Sequence, residues 1–318
     1  MHKGATITQQ AYTAHRLDRL SELNEQNELN ELKHSAKRQT GLADLHMHTT
    51  YSDGIGTVEE VLAQIERNTA LDVIAITDHD TIEGALRARD LAAKRNTPFE
   101  VIVGEEISTR EGHMLALFLQ KRIPPGLSIE RSIELVHAQG GVAVVAHPFN
   151  RVFRFSVQRS VMDRLLRQPD LHPDGVETLN GSFAGIGSSR IAMRLVGSRY
   201  PWAATGGSDA HTPMAIGCAY TVYPGFGAAA LRQAIARRET APQGSFWKSR
   251  EYAAFLSHRL AYGKGEPPAT RIARARVAAF GPVVRVVSGA SRYAVEIVDA
   301  GSASGDLVAA NVTASRGA

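Results

Sequence analysis

The stretch ADLHMHTTYSDG, residues 43–54, begins as a short apolar run and ends in polar residues that can bind metal ions. Its first half predicts a buried strand that ends with His46 and His48. Residues i and i+2 of a strand point to the same side, so both imidazoles can reach one ion. Asp53 follows in a Ser-Asp-Gly turn, where Gly54 permits tight backbone geometry. The stretch therefore predicts a strand that brings two histidines and a carboxylate to one place.

A short apolar strand followed by residues that can bind metal recurs along the chain. Further strands are predicted at residues 73–76, 101–103, 114–119, 142–145, 175–178 and 203–205. Helical patterns lie between them; Thr57 and Glu60, for example, form a capping box ahead of an apolar helical face. Alternating strands and helices predict an α/β fold with a parallel sheet, and about seven such units suffice to close a barrel. The pattern favours a barrel over an open sheet, although periodicity alone leaves closure open.

Histidines and carboxylates gather at the predicted strand ends. The later groups are Asp78-His79-Asp80, Gly104-Glu105-Glu106, His113, His147-Pro148 and Ser208-Asp209-Ala210-His211. Most follow the C-terminal end of a strand, the rim at which α/β barrels and sheets build their sites. A lone histidine is usually structural, and His137, His172 and His258 keep that interpretation. Groups at successive strand ends instead predict one shared metal cluster.

Composition restricts the kind of metal site and the kind of ligand. Cys218 is the only cysteine in 318 residues, so Cys-rich structural zinc folds are excluded and a metal must be held by His and carboxylates. The net charge of +4 suits an anionic substrate, but no basic stripe with interleaved aromatics indicates single-strand nucleic-acid binding. No apolar run could span a bilayer, and the first residues lack the apolar centre of a signal peptide. We therefore expect a cytoplasmic protein without membrane contact.

The motifs resemble those of the PHP (polymerase and histidinol phosphatase) superfamily over about residues 41–223. The shared motifs are His-x-His with a downstream Asp (His46, His48, Asp53), Thr-Asp-His (Thr77, Asp78, His79), Gly-x-Glu (Gly104, Glu106), Ala-His-Pro (Ala146, His147, Pro148) and Ser-Asp-x-His (Ser208, Asp209, His211). Order, spacing and strand context all agree. The resemblance is strongest to the branch of 3′,5′-nucleotide bisphosphate phosphatases and RNA-trimming enzymes.

The resemblance implies a distorted (β/α)7 barrel of the PHP type with N-terminal and C-terminal extensions. Residues 41–240 would form the PHP metal-dependent hydrolase domain. Residues 1–40 would be a polar extension. Residues 241–318 would be a partly disordered extension, with a helix at 246–262 and a hairpin formed by 283–287 and 293–298.

The resemblance also implies two or three divalent ions (Mn, Fe or Zn) and assigns their ligands. One ion would take His46, His48, Glu106 and Asp209; a second Asp53, His79 and His211; a third Glu106, His113 and His147. Glu106, rather than Glu105, fits the motif and would bridge two ions. His113 is the ligand that the motif spacing fixes least. Asp78 would orient a ligand histidine or, alternatively, cap a helix.

Such a centre implies a metal-dependent phosphoesterase in which a metal-activated hydroxide attacks a phosphate ester. Arg151 and Arg154, just after His147-Pro148, are candidates to bind substrate phosphate, and Arg190 is a weaker one. The expected partner is a small phosphorylated substrate, with a nucleotide or short oligonucleotide among the candidates, and no stable protein partner is expected. Four alternatives remain open: a histidinol-phosphatase-like enzyme, a 5′-3′ exoribonuclease-like trimming enzyme, a non-catalytic metal-binding scaffold, and a hydrolase of non-phosphate esters or amides.

Overall fold

The computed structural model describes residues 39–152 and 155–262, together with the backbone of residues 284–289 and 292–297. The strands are β1 (Thr40–Asp44), β2 (Val73–Ile76), β3 (Glu100–Ser108), β4 (His113–Leu117), β5 (Val142–Val145), β6 (Gly175–Asn180), β7 (Ala203–Gly207), β8 (Ala219–Pro224), β9 (Ala241–Gly244), β10 (Val284–Gly289) and β11 (Arg292–Ile297). The α-helices are α1 (Val58–Asn68), α2 (Glu83–Arg95), α3 (Ile129–Ala138), α4 (Arg159–Leu166), α5 (Ser188–Leu195), α6 (Gly227–Arg237) and α7 (Ser249–Tyr262).

One mixed sheet organises the described chain, in the order β7-β6-β5-β4-β3-β2-β1-β8-β9. The pairs within β1–β2–β3 and within β5–β6–β7 are parallel. Strand β4 is antiparallel to both of its neighbours, and β8 is antiparallel to β1 and β9. The prediction of a parallel sheet was therefore wrong at β4, whereas β8 and β9 were not among the predicted strands. Residues 109–112 are too short for a crossover between parallel strands, so β3 and β4 must form a hairpin.

The sheet curls into the predicted barrel, nearly closed between β7 and β1. At the site end, His48 N donates to Ala210 O (2.9 Å), which joins the segment after β1 to the segment after β7. Further down, the Thr221 hydroxyl of β8 accepts from Gly206 N (2.9 Å) and donates to Gly206 O (2.8 Å). The segments that follow β1 and β7 therefore meet across the seam of the barrel.

Alternating strand residues divide the apolar core between two faces of the sheet. Ile74 and Ile76 of β2 pack with the buried faces of α1, α2 and α3, whereas Val73 and Ala75 pack with residues of α6. The alternation follows from the two-residue period of a strand. Helix α1 begins with the predicted capping box, in which Thr57 Oγ1 accepts from Glu60 N (3.2 Å).

The region after residue 240 contributes to the barrel sheet. Strand β9 pairs with β8, and Trp247 lies in the main hydrophobic core. The predicted helix at 246–262 is confirmed as α7, and the predicted hairpin is confirmed in the backbone of β10 and β11. Predictions for residues 1–38 and for the last residues fall outside the described part of the chain. No helix found in the described ranges has both the length and the apolar character needed to cross a membrane.

Candidate metal centre

The nine predicted ligand residues meet at one end of the barrel. Their donor atoms form four overlapping groups, within each of which the atoms lie within 4.8 Å of one another. The groups are His48, Asp53, His79 and His211; His46, Glu106 and His147; His46, His48 and Asp209; and His79, Glu106 and His113. The assignment of ligands to individual ions stays a prediction. His48 lies close both to the ligands predicted for the first ion and to those predicted for the second.

Glu106 lies at the centre of the cluster. Its Oε1 faces His113 Nδ1 (2.8 Å) and His147 Nε2 (3.0 Å). Its Oε2 faces His46 Nε2 (3.2 Å), His48 Nε2 (3.3 Å) and His79 Nδ1 (3.3 Å). Each carboxylate oxygen therefore serves a different set of histidines, which is the geometry a bridging carboxylate needs.

The position of Glu106 within β3 differs from the sequence-based expectation. The predicted strand ended at Val103, but β3 continues to Ser108 because β4 pairs with its second half. Neighbouring strand residues point to opposite faces, so Glu105 turns away and accepts from Ile123 N (2.8 Å). Burial raises the pKa of Glu105 to about 7. This geometry supports Glu106, rather than Glu105, as the central carboxylate.

His113 reaches the cluster because β4 runs antiparallel. The N-terminal end of this strand lies where its neighbours have their C-terminal ends. The backbone N–H of His113 donates to Phe155 O (2.8 Å), and the two rings stack with their centroids 5.0 Å apart. The strand direction that the sequence did not predict is thus what places the least certain ligand.

The most exposed part of the cluster is the group around Asp53. Asp53 Oδ1 lies 3.1 Å from His211 Nε2, 3.7 Å from His79 Nε2 and 3.8 Å from His48 Nδ1. His211 Nδ1 lies 2.9 Å from the backbone oxygen of Asp209, which can only accept, so Nδ1 carries the proton. His211 Nε2 faces Asp53, so the two side chains could hold an ion between them.

Asp209 connects this outer group to the deeper histidines. Its Oδ1 lies 3.1 Å from His48 Nε2 and 3.4 Å from His46 Nε2. Its Oδ2 accepts from Ser182 Oγ (2.7 Å) and Asn180 Nδ2 (3.1 Å), which fix the carboxylate. Asp209 has a φ of 49°, a left-handed conformation that costs energy in a non-glycine residue and is concentrated at functional sites.

Glu177 is a residue of the site that the motifs did not reveal. It is buried on β6, and its Oε1 lies 2.9 Å from His46 Nδ1. Its Oε2 accepts from His147 N (2.9 Å) and Asn180 Nδ2 (2.9 Å). The ionised carboxylate keeps the proton on His46 Nδ1 and directs Nε2 into the cluster. The signal in the sequence was one acidic residue inside the buried strand GVETLN, residues 175–180.

Gly207, the last residue of β7, provides the room for this pair. A Cβ at Gly207 would lie 2.6 Å from His46 Cβ and 2.7 Å from Glu177 Oε1. No real side chain tolerates such contacts with groups that are themselves packed and hydrogen-bonded. The absence of a side chain at residue 207 is therefore part of the site.

The charges of the cluster are balanced between carboxylates and histidines. Burial lowers the pKa of His48, but Asp209 and Glu106 outweigh it and raise this pKa to about 10. Burial would likewise raise the pKa of Glu106, but the surrounding histidines, led by His79, hold it well below its usual range. For His79, burial dominates and lowers the pKa to about 4. The carboxylates thus favour the protonated form of His46 and His48, and bound cations would compete with those protons.

Unpaired buried atoms indicate that these residues fit metal ions. Buried polar groups normally have a hydrogen-bond partner. In the described chain, His46 Nε2, His48 Nδ1, His79 Nδ1 and Asp53 Oδ1 are buried without a hydrogen bond, although each faces another ligand residue of the cluster. Nitrogen and oxygen donors of this kind suit Mn, Fe or Zn.

Asp78 has a different place from either of those predicted. Its Oδ1 accepts from Thr49 N (2.7 Å) and Ser52 Oγ (2.6 Å), and its Oδ2 accepts from Thr49 Oγ1 (2.6 Å). These partners are not histidines, and the N-cap residue of α2 is Ile82. Asp78, which follows β2, instead holds the loop that contains Asp53 in place through these hydrogen bonds.

Two of the three arginines considered for phosphate binding lie in the described residues. Arg151 is exposed on the loop that follows His147, and Arg190 is exposed on α5. Arg154 lies outside the described residues. Their contact with substrate phosphate stays a prediction.

Comparison with known proteins identifies related chains. An uncharacterized protein of Methanocaldococcus jannaschii is 36% identical over 170 residues, which span 50% of this chain and 93% of that protein. A phosphoribosyl 1,2-cyclic phosphate 1,2-diphosphodiesterase of Eggerthella lenta is 35% identical over 89 residues, 26% of this chain and 33% of that enzyme. A 5′-3′ exoribonuclease of Haemophilus influenzae is 34% identical over 105 residues, 32% of this chain and 37% of that enzyme.

A solved structure and two family models complete the comparison. The crystal structure of a two-domain protein from Bacteroides vulgatus, described as containing a predicted PHP-like metal-dependent phosphoesterase, superposes with a TM-score of 0.52 at 18% identity, over 82% of this chain and 76% of that one. This likeness supports the fold. The family model for the PHP domain matches residues 44–182, and a model described as PHP-associated matches residues 193–240. With the motifs gathered in one cluster at the end of a barrel, the chain belongs to the PHP family.

Proposed function

We propose that this protein is a metal-dependent phosphoesterase that hydrolyses a phosphate ester at the cluster around Glu106. The observation that carries the proposal is the carboxylate of Glu106, whose two oxygens face five histidine nitrogens at 2.8–3.3 Å. An apolar side chain in place of Glu106 could not interact with so many converging nitrogens. Bound cations would supply the partners that these buried donor atoms require. The names of the relatives, a phosphodiesterase and an exoribonuclease, support phosphoester chemistry.

The protein's own residues would arrange this chemistry. When bound, two or three divalent ions supply a hydroxide near neutral pH and stabilise the charge that develops on the phosphoryl group. Glu106 and Asp209 provide the negative charge that holds cations close together. Glu177, Asn180 and Ser182 fix the ligand side chains from behind, so the site is preorganised before substrate arrives.

The substrate class that we propose is a nucleotide, a short oligonucleotide or another small phosphorylated metabolite. The exposed Arg151, on the loop after His147, is available to contact an anionic group. Both enzymatic relatives are named for cleaving phosphodiester bonds, which favours a phosphodiester over histidinol phosphate. A non-catalytic scaffold is disfavoured because every ligand position is filled and the donor atoms converge.

The decisive test is hydrolysis of an aryl phosphate and of its diester by the purified protein with Mn²⁺. We expect turnover that a chelator removes and that Asp209→Ala reduces to background, because Asp209 contacts both His46 and His48. Asp90→Ala is the control, since Asp90 is exposed and pairs with Arg89 beside it, away from the cluster. Activity that survives both chelation and Asp209→Ala would contradict the proposal.

The same assay can then be run on real substrate classes. Nucleoside 3′,5′-bisphosphates, 5′-phosphorylated short oligonucleotides and histidinol phosphate should be compared side by side by kcat/KM. We expect the nucleotide substrates to be preferred. A preference for histidinol phosphate would contradict the proposed substrate class while leaving the metal mechanism in place.

A further inference from the structure

Aromatic residues from the C-terminal region cover one side of the metal cluster. We call Trp247, Tyr252 and Phe255 the aromatic wall. The ring of Phe255 lies 5.4 Å from the ring of His211, centroid to centroid, at an interplanar angle of 69°, and the ring of Trp247 lies 6.1 Å from it. Tyr252 packs on Trp247 at 5.1 Å. The wall lies beyond both family-model matches, which end at residue 240, so the family motifs give it no role.

Backbone hydrogen bonds attach the aromatic wall to the loops that carry the site. Trp247 N donates to Gly181 O (2.8 Å), next to Ser182, which holds Asp209. Trp247 Nε1 donates to Ser208 O (2.8 Å), one residue before Asp209. Trp247 is buried and belongs to the main core. The wall is therefore a fixed part of the barrel end, and its position relative to His211 is defined.

His211 depends on this packing for its orientation. Its Nδ1 bonds to the backbone oxygen of Asp209 and lies 3.5 Å from Asp209 Oδ1, while its Nε2 faces Asp53. These polar contacts involve the two nitrogens and leave the packing of the rest of the ring to its neighbours. The ring packs against His48, at 4.2 Å between centroids, and against Phe255 and Trp247. Edge-to-face contacts with aromatic rings restrict the ring to one orientation.

We propose that the aromatic wall is a positioning element for the ion bound by Asp53, His79 and His211, and that Phe255 is its main positioning residue. The inference rests on the proposed metal-dependent function and deepens it. Phe255 fixes the imidazole so that Nε2 points at Asp53, 3.1 Å away, and it keeps bulk water off the outer side of the ring. Groups that orient a metal ligand typically change metal affinity by about 10–100-fold. The deeper histidines do not touch the wall in the described contacts, so their ion should be unaffected.

The test is a Mn²⁺ titration of Phe255→Ala in the full-length chain, followed by electron paramagnetic resonance of free Mn²⁺. We expect one class of bound ion to weaken by about 10–100-fold, as for other groups that orient a metal ligand, with the remaining class unchanged. Phe255→Tyr keeps the ring and should restore wild-type affinity. Leu256→Ala is the matched control, because Leu256 is the next residue of α7 and its side chain is exposed. If Phe255→Ala bound each class of Mn²⁺ ion as tightly as the wild type does, the proposal would be overturned.

A second readout follows the wall itself. The chain has two tryptophans, so a Trp202→Phe background leaves Trp247 as the sole indole reporter. Mn²⁺ binding beside His211 should quench Trp247 emission, and Phe255→Ala should shift the quenching midpoint by the same factor as the weakened ion. Phe255→Leu, which retains apolar contact with Trp247, serves if the alanine variant does not fold, and should weaken the same ion by about tenfold.

The outcomes separate the two proposals. A wild-type protein that binds no Mn²⁺ would contradict the proposed metal-dependent function. A wild-type protein that binds Mn²⁺, with Phe255→Ala and Phe255→Leu binding it equally well, would contradict only the role of the aromatic wall. A uniform weakening of every ion would also overturn it, because that pattern indicates general loss of structure.

Discussion

Glu177 illustrates what a single residue outside the motifs can contribute. Its two oxygens contact the ring of His46, the backbone of His147 and the side chain of Asn180. One carboxylate thus orients a ligand ring, fixes the start of a second ligand loop and holds an amide that bonds Asp209. A neutral residue of the same shape could keep some of these bonds but would remove the charge that holds the proton on His46 Nδ1.

We expect Glu177→Gln to weaken binding of the ion nearest His46 by about 10–100-fold, as is typical for groups that orient a metal ligand. The fold should persist, because glutamine has the same size and can still accept from His147 N. The measurement is Mn²⁺ affinity by isothermal titration calorimetry, with circular dichroism as the check of fold. Glu130→Gln, which alters a half-buried pair with Arg164 away from the cluster, is the control. Unchanged Mn²⁺ affinity in Glu177→Gln would refute this role.

Most residues of the candidate site were predicted from the sequence, and a few were not. Strand ends and motif spacing predicted all nine residues that meet in the cluster. Glu177 and the true partners of Asp78 were not predicted, because they are set by hydrogen bonds between residues about thirty or more positions apart. Motif spacing predicts which residues lie at the rim of the barrel. These hydrogen bonds depend instead on which strands are neighbours in the sheet. Such pairings appear only once the sheet order is known.

At the scale of elements, the loop from Thr49 to Gly56 depends on Asp78. Every donor that reaches this carboxylate comes from the loop, and Gly84 in the first turn of α2 leaves the space that the carboxylate occupies. The loop in turn carries Asp53 to the outer ion group. Asp78 therefore acts on the site through the position of a whole segment.

We expect Asp78→Asn to destabilise the protein by about 1–3 kcal/mol, because the new amide would put N–H groups against the donors of Thr49 and Ser52 in a buried setting. The loop would loosen, and affinity for the ion near Asp53 would fall with it. Urea unfolding gives the first quantity and Mn²⁺ titration the second. Asp72→Asn is the control, because Asp72 is a partly buried carboxylate that accepts from Leu42 N. It tests whether loss of any partly buried aspartate charge weakens Mn²⁺ binding. Wild-type stability in Asp78→Asn would count against this view.

Strand direction is the element-level feature that periodicity missed. A run such as MLAL in residues 114–117 has the same apolar pattern whichever way the strand runs. The four-residue connection before His113 did contain the information, since only a hairpin can be so short. The antiparallel β4 puts His113 at the same rim as the other ligands, so His113 joins the site because the strand is reversed.

Across the whole molecule, the ligand-bearing segments also close the barrel. His48 N and Ala210 O join across the seam between two metal-binding stretches, and Ser208 N bonds Asp44 Oδ1 (3.0 Å) beneath them. Any ion held by His46, His48 and Asp209 would cross the same seam. We therefore expect metal binding to stabilise closure of the barrel.

We expect Mn²⁺ at about 100 times its dissociation constant to stabilise the native protein by about 2.7 kcal/mol per independent site, and a chelator to remove this gain. The measurement is the unfolding temperature with and without Mn²⁺ by differential scanning calorimetry. Asp209→Ala should lose most of the shift, because Asp209 follows β7 and its carboxylate contacts His46 and His48, which follow β1 on the other side of the seam. An unfolding temperature independent of Mn²⁺ would show that the ions do not brace the barrel.

Because Gly207 has no side chain, His46 and Glu177 have room to pack beside it inside the barrel. Each ligand of the site could remain in a related sequence while a serine at position 207 closed the space that His46 and Glu177 share. An inventory of ligands alone would then count that sequence as intact. A glycine before the Ser-Asp-x-His motif is therefore a useful criterion for separating relatives that can load metal from relatives that only retain the motif.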